Sequence, residues 1–188
     1  MNITDEKQAA RKAAMAQRKR AHEAADGAGK VAAQHLLTWL ENQPKLRVIS
    51  GYMPIHTELD ILPAMHALHE NGHALCVPVI MGKAMPLRFS AWTPETKMVK
   101  GPFGAMVPER SQWLRPELLL CPMLAFDATG QRMGYGGGFY DRSIAALAPV
   151  RALGFAYAAQ KVDTLPHEPT DMPLEGVITE KGLFSIHC

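Results

Sequence analysis

A stretch that decides the fold runs over residues 46–77 and reads LRVISGYMPIHTELDILPAMHALHENGHALCV. It opens with an apolar run, passes through a loop into apolar residues at helical spacing, and closes with a second apolar run at 74–77, which Pro78 is expected to stop. Thr57 is a suitable N-cap for the helix, and the Asn-Gly pair at 71–72 suits its end. A strand, a helix and a second strand at this spacing form a βαβ unit, whose two strands run parallel.

Elements on either side of this unit complete an α/β pattern. Helices are predicted where Ala, Lys, Arg and Leu recur without Pro, and strands where short apolar runs lie between turn residues. The predicted helices cover residues 4–20, 30–40 and 139–147, and the predicted strands cover 87–92, 118–121, 151–155 and 177–179. The helix at 30–40 is expected to bury Val31, Leu36, Leu37 and Leu40. We therefore expect a single three-layer α/β domain over residues 1–188, in which helices flank a mostly parallel central sheet.

The composition is that of an ordinary globular protein with little net charge. Of the 188 residues, 47% are hydrophobic and 20% are charged, and the formal net charge is +2. No apolar run approaches the roughly 20 residues that span a bilayer. The polar, basic N-terminus lacks the apolar core of a secretory signal, and its acidic residues argue against a transit peptide. We therefore expect a cytoplasmic protein with no membrane partner.

The cysteines carry no sign of a disulfide framework or of a metal site. Cys76, Cys121 and Cys188 are far apart and odd in number. Cys76 and Cys121 lie inside apolar runs, so we expect them to be buried, reduced thiols.

Most of the chemical information lies in residues 121–142, which read CPMLAFDATGQRMGYGGGFYDR. Four glycines within five residues leave backbone N–H groups unshielded, and a helix that begins beyond the end of a buried strand attracts anions. Arg132 supplies a guanidinium for phosphate oxygens, and Asp141 supplies a carboxylate suitable for magnesium. The segment fits no Rossmann fingerprint, because Phe139 stands where the last glycine would be, and no Walker loop, because no Gly-Lys pair is followed by Ser or Thr. A phosphate-binding loop and a plain flexible turn therefore both stay open from these residues alone.

Residues 122–141 resemble the signature of the 5-formyltetrahydrofolate cyclo-ligases, also called 5,10-methenyltetrahydrofolate synthetases. That signature runs P-x-x-A-F-D-x-x-G-x-R-x-G-x-G-x-G-[YF]-Y-D, and this chain follows it almost throughout. The resemblance continues, in family order, through the N-terminal helix, the loop around Glu58, residues 101–104 and the acidic loop near the C-terminus. It implies ATP- and magnesium-dependent conversion of 5-formyltetrahydrofolate to 5,10-methenyltetrahydrofolate, with phosphorylation of the formyl oxygen and release of ADP and phosphate.

The resemblance also implies roles for individual residues. Lys7 and Arg11, which i,i+4 spacing places on one helical face, match ATP contacts. Met53 and Glu58 match substrate contacts, and the Glu58 carboxylate suits the amino-pyrimidine edge of a pterin. Without the family, Glu58 would be a first-turn helix acid. The basic residues Arg18, Lys19 and Arg20 are assigned to a solvated helix face.

Further implied roles belong to the glycine-rich segment and to two acidic residues. Lys7 and Arg132 are the implied catalytic residues, because they would neutralise phosphate charge. The implied ATP contacts in this segment are Arg132, Met133, Gly134, Tyr135, Gly136, Gly137, Gly138, Phe139 and Tyr140. Of these, Tyr135, Gly136, Gly137, Gly138 and Phe139 would also contact the folate. Asp141 and Asp171 match the two magnesium positions. This chain departs from many members at Phe139, where they carry Tyr, and from some at Gly137, where they carry Lys.

Three other functions are consistent with parts of the sequence. Another ATP-using enzyme on this scaffold would keep the phosphate contacts and change the folate contacts, and Glu58 disfavours it. A non-catalytic folate- or nucleotide-binding protein would be expected to lack Asp141, Arg132 or Lys7. A nucleic-acid-binding module would use the basic N-terminal helix, but one such helix in a nearly neutral chain favours it little. We expect a monomer that acts on small molecules, with no nucleic-acid partner.

Overall fold

The computed structural model describes residues 2–186, in which helices and strands are combined in an α/β fold as the sequence predicts. Within this range the helices are α1 (Ile3–Ala24), α2 (Ala28–Glu41), α3 (Leu62–Glu70) and α4 (Phe139–Leu147). The strands are β1 (Val48–Ser50), β2 (Ala74–Val79), β3 (Arg88–Trp92), β4 (Met98–Lys100), β5 (Met106–Pro108), β6 (Trp113–Leu114), β7 (Leu118–Cys121), β8 (Ala125–Phe126), β9 (Arg132–Met133), β10 (Arg151–Phe155), β11 (Gly176–Thr179) and β12 (Gly182–Ser185). Every predicted helix and strand is present, and the end of α1 and the start of α3 are each displaced by about four residues. The short strands β4, β5, β6, β8, β9 and β12 were not predicted.

An eight-stranded sheet forms the centre of the fold, in the order β12-β11-β10-β7-β1-β2-β3-β6. The five strands from β11 to β2 run parallel to one another. The strands at the two edges, β12 on one side and β3 with β6 on the other, are antiparallel to their neighbours. The predicted parallel pairing of β1 with β2 is confirmed, and the sheet is mostly parallel at its centre.

Side chains from each central strand alternate between two cores, one on each face of the sheet. In β7, Leu118 and Leu120 pack in the core that contains α2 and α3 residues. Leu119 and Cys121 point the other way and pack in the core that contains Ile144 of α4. A strand buried on both faces is continuously apolar, which is why this short run could be recognised from the sequence.

The longest helix in the described range, α1, adjoins the loops at one end of the sheet. Asn2 caps its N-terminus, because the Asn2 side chain accepts a hydrogen bond of 2.9 Å from the backbone N–H of Asp5. The helix packs against β8 and the short 3-10 turn Ala158–Gln160. No helix in residues 2–186 has both the length and the apolar character needed to cross a bilayer.

Helix α2 buries Leu36 and packs Leu37 and Leu40 against the core as predicted, but it does not bury Val31. Ala32 and Leu36 are fully buried, whereas Val31 is 41% exposed. The helix lies so close to the loop before α3 that a Cβ added to Gly29 would be 2.2 Å from the carbonyl oxygen of Asp60. The expectation for Val31 was wrong because small residues, which a hydrophobicity pattern underweights, form the closely packed face.

Helix α3 begins later than predicted, and Thr57 does not cap it. The Thr57 hydroxyl instead accepts a hydrogen bond of 3.1 Å from Nε of Arg18. The helix begins at Leu62, whose N–H donates to Oδ1 of Asp60 at 3.0 Å. Glu58 therefore lies in the loop after β1 and is not a helix-start acid.

Strand β2 continues through Pro78, where the sequence was expected to end it. On one side, β2 pairs with β1 only over residues 74–76, whereas on the other side Pro78 pairs with Phe89 of β3. A proline is tolerated where a strand has lost one of its two neighbours, since fewer ladder hydrogen bonds require its missing N–H.

The two cysteines in the described range are buried, as predicted. Cys76 and Cys121 are free thiols with no exposed surface. Burial raises the pKa of each thiol to about 12, which makes both of them poor nucleophiles. Cys188 lies outside the described residues.

Candidate active site

The candidate site lies at the topological switch point of the parallel sheet, between β1 and β7. The chain passes from β1 to β2 on one side of the sheet, and later from β7 to β10 and β11 on the other side. The loops that leave the adjacent carboxyl ends of β1 and β7, residues 51–61 and 122–131, therefore diverge and leave a crevice between them. This crevice is part of a cavity of about 1120 Å³, which is large for a small-molecule site.

All the site residues predicted from the sequence line this cavity. They come from α1, from the loop after β1, from the glycine-rich segment with the start of α4, and from the loop before β11. In chain order they are Lys7, Arg11, Met53, Glu58, Arg132, Met133, Gly134, Tyr135, Gly136, Gly137, Gly138, Phe139, Tyr140, Asp141 and Asp171. The fold brings the whole set together, and the ligand contacts assigned to its members stay predictions.

The glycine-rich segment is held against α1 in a conformation that requires glycine. Nε of Arg11 donates a hydrogen bond of 3.2 Å to the carbonyl oxygen of Gly134. The same guanidinium lies against Gly136, where an added Cβ would be 3.2 Å from Cζ of Arg11. Gly136 has a φ of 93°, which lies in the left-handed region that side chains disfavour. The segment is therefore a defined loop beside a cation, and this favours an anion site over a plain flexible turn.

Lys7 joins α1 to the acidic loop before β11. Its Nζ lies 2.6 Å from Oδ2 of Asp171 and 2.8 Å from Oε2 of Glu168, and the Lys7 side chain is only 13% exposed. Burial lowers the pKa of Lys7, but the two carboxylates raise it by more, and the net pKa is above its ordinary value. Burial likewise raises the pKa of Asp171, but the hydrogen bonds from Lys7 and from the N–H of Glu168, together with the Lys7 and Arg132 charges, outweigh it and the net pKa is lowered. Both groups are therefore charged at neutral pH.

A second ion pair lies within the glycine-rich segment and the start of α4, and both of its members hydrogen-bond to the same acidic loop. Nη2 of Arg132 lies 2.8 Å from Oδ1 of Asp141, and this oxygen also accepts a hydrogen bond of 3.0 Å from the N–H of Met172. The other terminal nitrogen of Arg132 donates to the carbonyl oxygen of Met172. Asp141 is thus connected, through Met172, to the backbone beside Asp171.

The donor chemistry of Asp141 and Asp171 fits magnesium. Residues 2–186 contain no cluster of three or more His, Cys, Asp or Glu that could hold a metal ion without help from a ligand. Magnesium characteristically takes one or two carboxylates and completes its coordination with water and substrate phosphate oxygens. Two carboxylates in a cavity that also carries Lys7, Arg11 and Arg132 match that mode of binding better than a metal site made by the protein alone.

Glu58 is a buried carboxyl group in the cavity wall. The residue is 6% exposed, and its Oε2 accepts a hydrogen bond of 3.0 Å from the N–H of Ile55. Its Oε1 lies 3.8 Å from Nη1 of Arg18. Burial raises the pKa of Glu58 to about 7, and the Ile55 hydrogen bond and the Arg18 charge offset this only in part. A carboxyl group that titrates near neutrality in a cavity is typical of a functional site.

Arg18 is buried, so its assignment to a solvated helix face was wrong. The residue is 2% exposed, whereas its neighbours Lys19 and Arg20 are exposed as predicted. One signal in the sequence could have indicated this position. Arg18 follows Arg11 by seven residues, about two helical turns, and therefore lies on the same face of α1.

The hydroxyl of Tyr140 is buried and has no hydrogen-bond partner within residues 2–186. Burial raises the pKa of this phenol well above its ordinary value, so it is a neutral group able to donate a hydrogen bond. An unsatisfied buried hydroxyl costs roughly 1–3 kcal/mol. Because Tyr140 lines the cavity, a bound ligand with an acceptor oxygen or nitrogen could satisfy it.

Part of the cavity wall is apolar and was not predicted from the sequence. It is contributed by the end of β2, the loop that leads to β3, and the β4–β5 hairpin. Its members include Pro78, Ile80, Leu87, Met106 and Val107, and the exposed Lys83 lies in the same wall. These residues carry no chemical motif, so only the fold could assign them to the site.

Comparison with known proteins agrees with this geometry. Residues 3–180 match the model of the 5-formyltetrahydrofolate cyclo-ligase family. The 5-formyltetrahydrofolate cyclo-ligase of Escherichia coli (strain K12) is 30% identical over 144 residues, which cover 72% of this chain and 79% of that protein. The enzyme of the same name from Mycolicibacterium smegmatis is 31% identical over 146 residues, covering 72% and 74%. That from Haemophilus influenzae is 31% identical over 156 residues, covering 77% and 81%.

Solved structures share the fold over nearly the whole chain. The NMR structure of Aquifex aeolicus 5,10-methenyltetrahydrofolate synthetase superimposes with a TM-score of 0.74 at 23% identity, and the match covers 97% of this chain and 93% of that one. The 5,10-methenyltetrahydrofolate synthetase of Mycoplasma pneumoniae gives a TM-score of 0.67 at 21% identity, covering 96% and 99%. These similarities confirm the predicted α/β fold with its mostly parallel central sheet.

Proposed function

The chain belongs to the 5-formyltetrahydrofolate cyclo-ligase family and is therefore an enzyme of folate metabolism, and we propose that it converts 5-formyltetrahydrofolate and ATP to 5,10-methenyltetrahydrofolate, ADP and phosphate. One observation carries the proposal. A single cavity combines the cations Lys7, Arg11 and Arg132, which suit phosphate, with the buried carboxyl group of Glu58, which suits a pterin.

The chemistry explains why such a reaction consumes ATP. The oxygen of an N5-formyl group is a poor leaving group, so direct attack by N10 would have to expel oxide. In the proposed first step the formyl oxygen attacks the γ-phosphorus of ATP, ADP leaves, and an iminium phosphate forms at N5. N10 then attacks the formyl carbon, its proton passes to solvent, and cleavage of the C–O bond releases phosphate. This sequence needs positioning and charge neutralisation more than side-chain acid–base chemistry.

Lys7 and Arg132 are proposed to act on the transferred phosphoryl group, with Arg11 beside them. Their charges are now balanced by Asp171 and Asp141 at 2.6 and 2.8 Å. Phosphate oxygens accept strong charge-assisted hydrogen bonds from both an ammonium and a guanidinium, so bound ATP would compete with the carboxylates for both cations. Asp141 and Asp171 would then be available to hold magnesium, which would supply positive charge to neutralise the phosphates.

Glu58 is proposed to orient the pterin ring. Its ionised carboxylate can accept paired hydrogen bonds from an amino-pyrimidine edge, and Oε1 makes no hydrogen bond shorter than 3.5 Å within the described chain. Met53 and residues 135–139 are proposed as further folate contacts, since they line the same cavity. We propose that the N5-formyl group of a pterin held by Glu58 is directed toward the glycine-rich segment, since both line one cavity.

The direct test mixes purified protein with 5-formyltetrahydrofolate and follows absorbance in the methenyl-folate band, with and without ATP and magnesium. Product formation that requires both ATP and magnesium is the expected result. A folded protein that binds Mg-ATP and yields no methenyl product would refute the folate assignment. It would favour another ATP-using reaction on the same scaffold, with a different formyl or acyl substrate.

The domain organisation, oligomeric state, location and partners of the protein are also proposals. We propose that residues 1–188 form one cyclo-ligase-like domain that acts as a cytoplasmic monomer, without a nucleic-acid or membrane partner. The support is that all the predicted site residues come from this one chain and line one cavity. Light scattering at assay concentration is expected to give the mass of a single chain, and a dimer mass would refute the monomer.

A further inference from the structure

Arg18 lies behind the cavity wall and joins segments that form it. Its side chain is 3% exposed and is not among the groups that line the cavity. Nε donates to the Thr57 hydroxyl at 3.1 Å, Nη1 donates to the carbonyl oxygen of Met123 at 3.1 Å, and Nη2 donates to the Tyr135 hydroxyl. One guanidinium therefore connects α1 to the loop after β1, the chain just beyond β7 and the glycine-rich segment.

This arrangement depends on the planar fork of arginine. A guanidinium presents five N–H groups in fixed directions, so it can donate to three acceptors on three separate segments at once. A lysine ammonium keeps the charge but is a compact group on a flexible stem. It cannot donate to these three separated acceptors at the same time. The carbonyl oxygen of Met123 is further fixed by a hydrogen bond of 2.7 Å from Gln160.

Two of the groups around Arg18 do line the cavity. Tyr135 is 47% exposed, and its ring centre lies 5.4 Å from Cζ of Arg18. Glu58 has its Oε1 3.8 Å from Nη1 of Arg18. These two residues belong to different halves of the proposed site, since Glu58 lies in the pterin-contacting loop and Tyr135 lies among the phosphate-binding glycines.

We infer that Arg18 is a positioning residue that links the two halves of the site, by holding the Tyr135 ring in the cavity wall and by keeping the carboxyl group of Glu58 in its charged, hydrogen-bond-accepting form. The inference rests on the proposed function of the cavity. Arg18 touches no substrate and acts through these two neighbours. Loss of its charge and loss of its fork should therefore have different kinetic effects.

The groups that face Glu58 determine the direction in which removal of Arg18 would shift the pKa of Glu58. They are Arg18 from α1, Tyr52 from the loop after β1, Tyr135 from the glycine-rich segment and Tyr140 from α4. Burial raises the pKa of all three phenols, so they stay neutral near pH 7. Arg18 is thus the cation that lowers the pKa of Glu58 within the described chain, and its removal should raise that pKa further.

The experiment compares Arg18→Gln, Arg18→Lys and the control Arg20→Gln, an exposed arginine on the same helix. For each protein, kcat/KM for 5-formyltetrahydrofolate is measured from about pH 6 to about pH 9, together with KM for ATP. Arg18→Gln should move the acid limb of the kcat/KM profile to higher pH by about one unit, because an adjacent opposite charge shifts a carboxyl pKa by about that much or more. Arg18→Lys should keep the acid limb in place and raise KM for the folate, and Arg20→Gln should match the wild type.

A merely structural role predicts a different pattern. In that case a folded Arg18→Gln protein would lose activity equally at every pH, and that result, or an unchanged folate KM, would overturn the inference. If Arg18→Gln does not fold, Arg18→Lys decides: a raised folate KM with an unmoved acid limb supports the inference, and wild-type kinetics reject it.

A ligand-free readout separates this inference from the proposed function. If the wild type makes no methenyl product, the proposed function fails. The carboxyl pKa of 13C-labelled Glu58, followed by NMR in wild type and Arg18→Gln without any ligand, then tests Arg18 alone. A higher pKa in the variant supports the link between Arg18 and Glu58, and an equal pKa rejects it.

Discussion

Replacing Glu58 with Gln should stabilise the protein at alkaline pH. Burial raises the pKa of this carboxyl group from its ordinary value of 4.5 to about 7 in the folded state. A group whose folded pKa is raised contributes stability that is fully present below the unfolded pKa and is lost as the pH rises through the folded pKa. The difference of about 2.5 between the two pKa values corresponds to about 3 kcal/mol, since each unit is worth about 1.4 kcal/mol. The cost of the buried charge is therefore absent below about pH 4.5 and complete above about pH 7.

Urea unfolding at several values between about pH 4.5 and pH 8 measures this cost. The difference in unfolding free energy between Glu58→Gln and wild type should move in favour of the variant by about 3 kcal/mol across that range. Glu70→Gln is the matched control, because it removes an exposed carboxylate from α3 and leaves Glu58 in place, so its pH dependence should follow the wild type. A difference between Glu58→Gln and wild type that stays constant with pH would refute the reasoning.

The same variant should lose activity on the folate. A neutral amide offers one acceptor oxygen where the carboxylate offers two, and loss of a charged partner in a buried contact costs roughly 2–5 kcal/mol. We therefore expect kcat/KM for 5-formyltetrahydrofolate to fall by about 30- to 4,000-fold, with KM for ATP nearly unchanged. Greater stability combined with lower activity would identify Glu58 as a group retained for function at the expense of stability.

Three further variants test the other parts of the site. Asp141→Ala should abolish magnesium-dependent turnover and leave the far-ultraviolet circular dichroism unchanged; near-normal turnover would refute the metal assignment. Lys7→Met should raise KM for ATP by about tenfold or more, through loss of a charge-assisted contact, while Lys12→Met, an exposed neighbour on α1, should match the wild type. Tyr140→Phe should leave thermal stability equal or higher, because it removes an unsatisfied hydroxyl, and should weaken ligand binding by about tenfold if that hydroxyl donates to the ligand; unchanged kinetics would exclude such a contact.

Most secondary structure could be predicted because its causes are local. Helix α4 at Phe139–Leu147 and strand β10 at Arg151–Phe155 have the predicted bounds. Their signals, a helix start after glycines and a short apolar run after proline, depend on neighbours in the chain. Likewise, Leu118–Cys121 reads as a strand buried on both faces, and it is one. The family signature at residues 122–141 extended this local information to a set of site residues that all line one cavity.

Long-range packing decided what the local pattern could not. Val31 fits an apolar stripe but is exposed, because the close approach of Gly29 to Asp60 turns the small residues of α2 inward. Thr57 fits a helix cap, but its hydroxyl is engaged by Arg18, and α3 begins only at Leu62.

Arg18 shows most clearly what could not be predicted from the sequence. As a sequence neighbour of Lys19 and Arg20 it is one charge in a basic helix, and its burial depends on an acceptor at Met123, 105 positions away. The pairing of Lys7 with Asp171, 164 positions apart, has the same origin. The sequence by itself therefore determined the helices, the longer strands of the central sheet and, through its family resemblance, the polar residues of the site. The tertiary structure alone decided which charges are buried and paired, because burial of a charge is tolerated only where distant segments supply its partners.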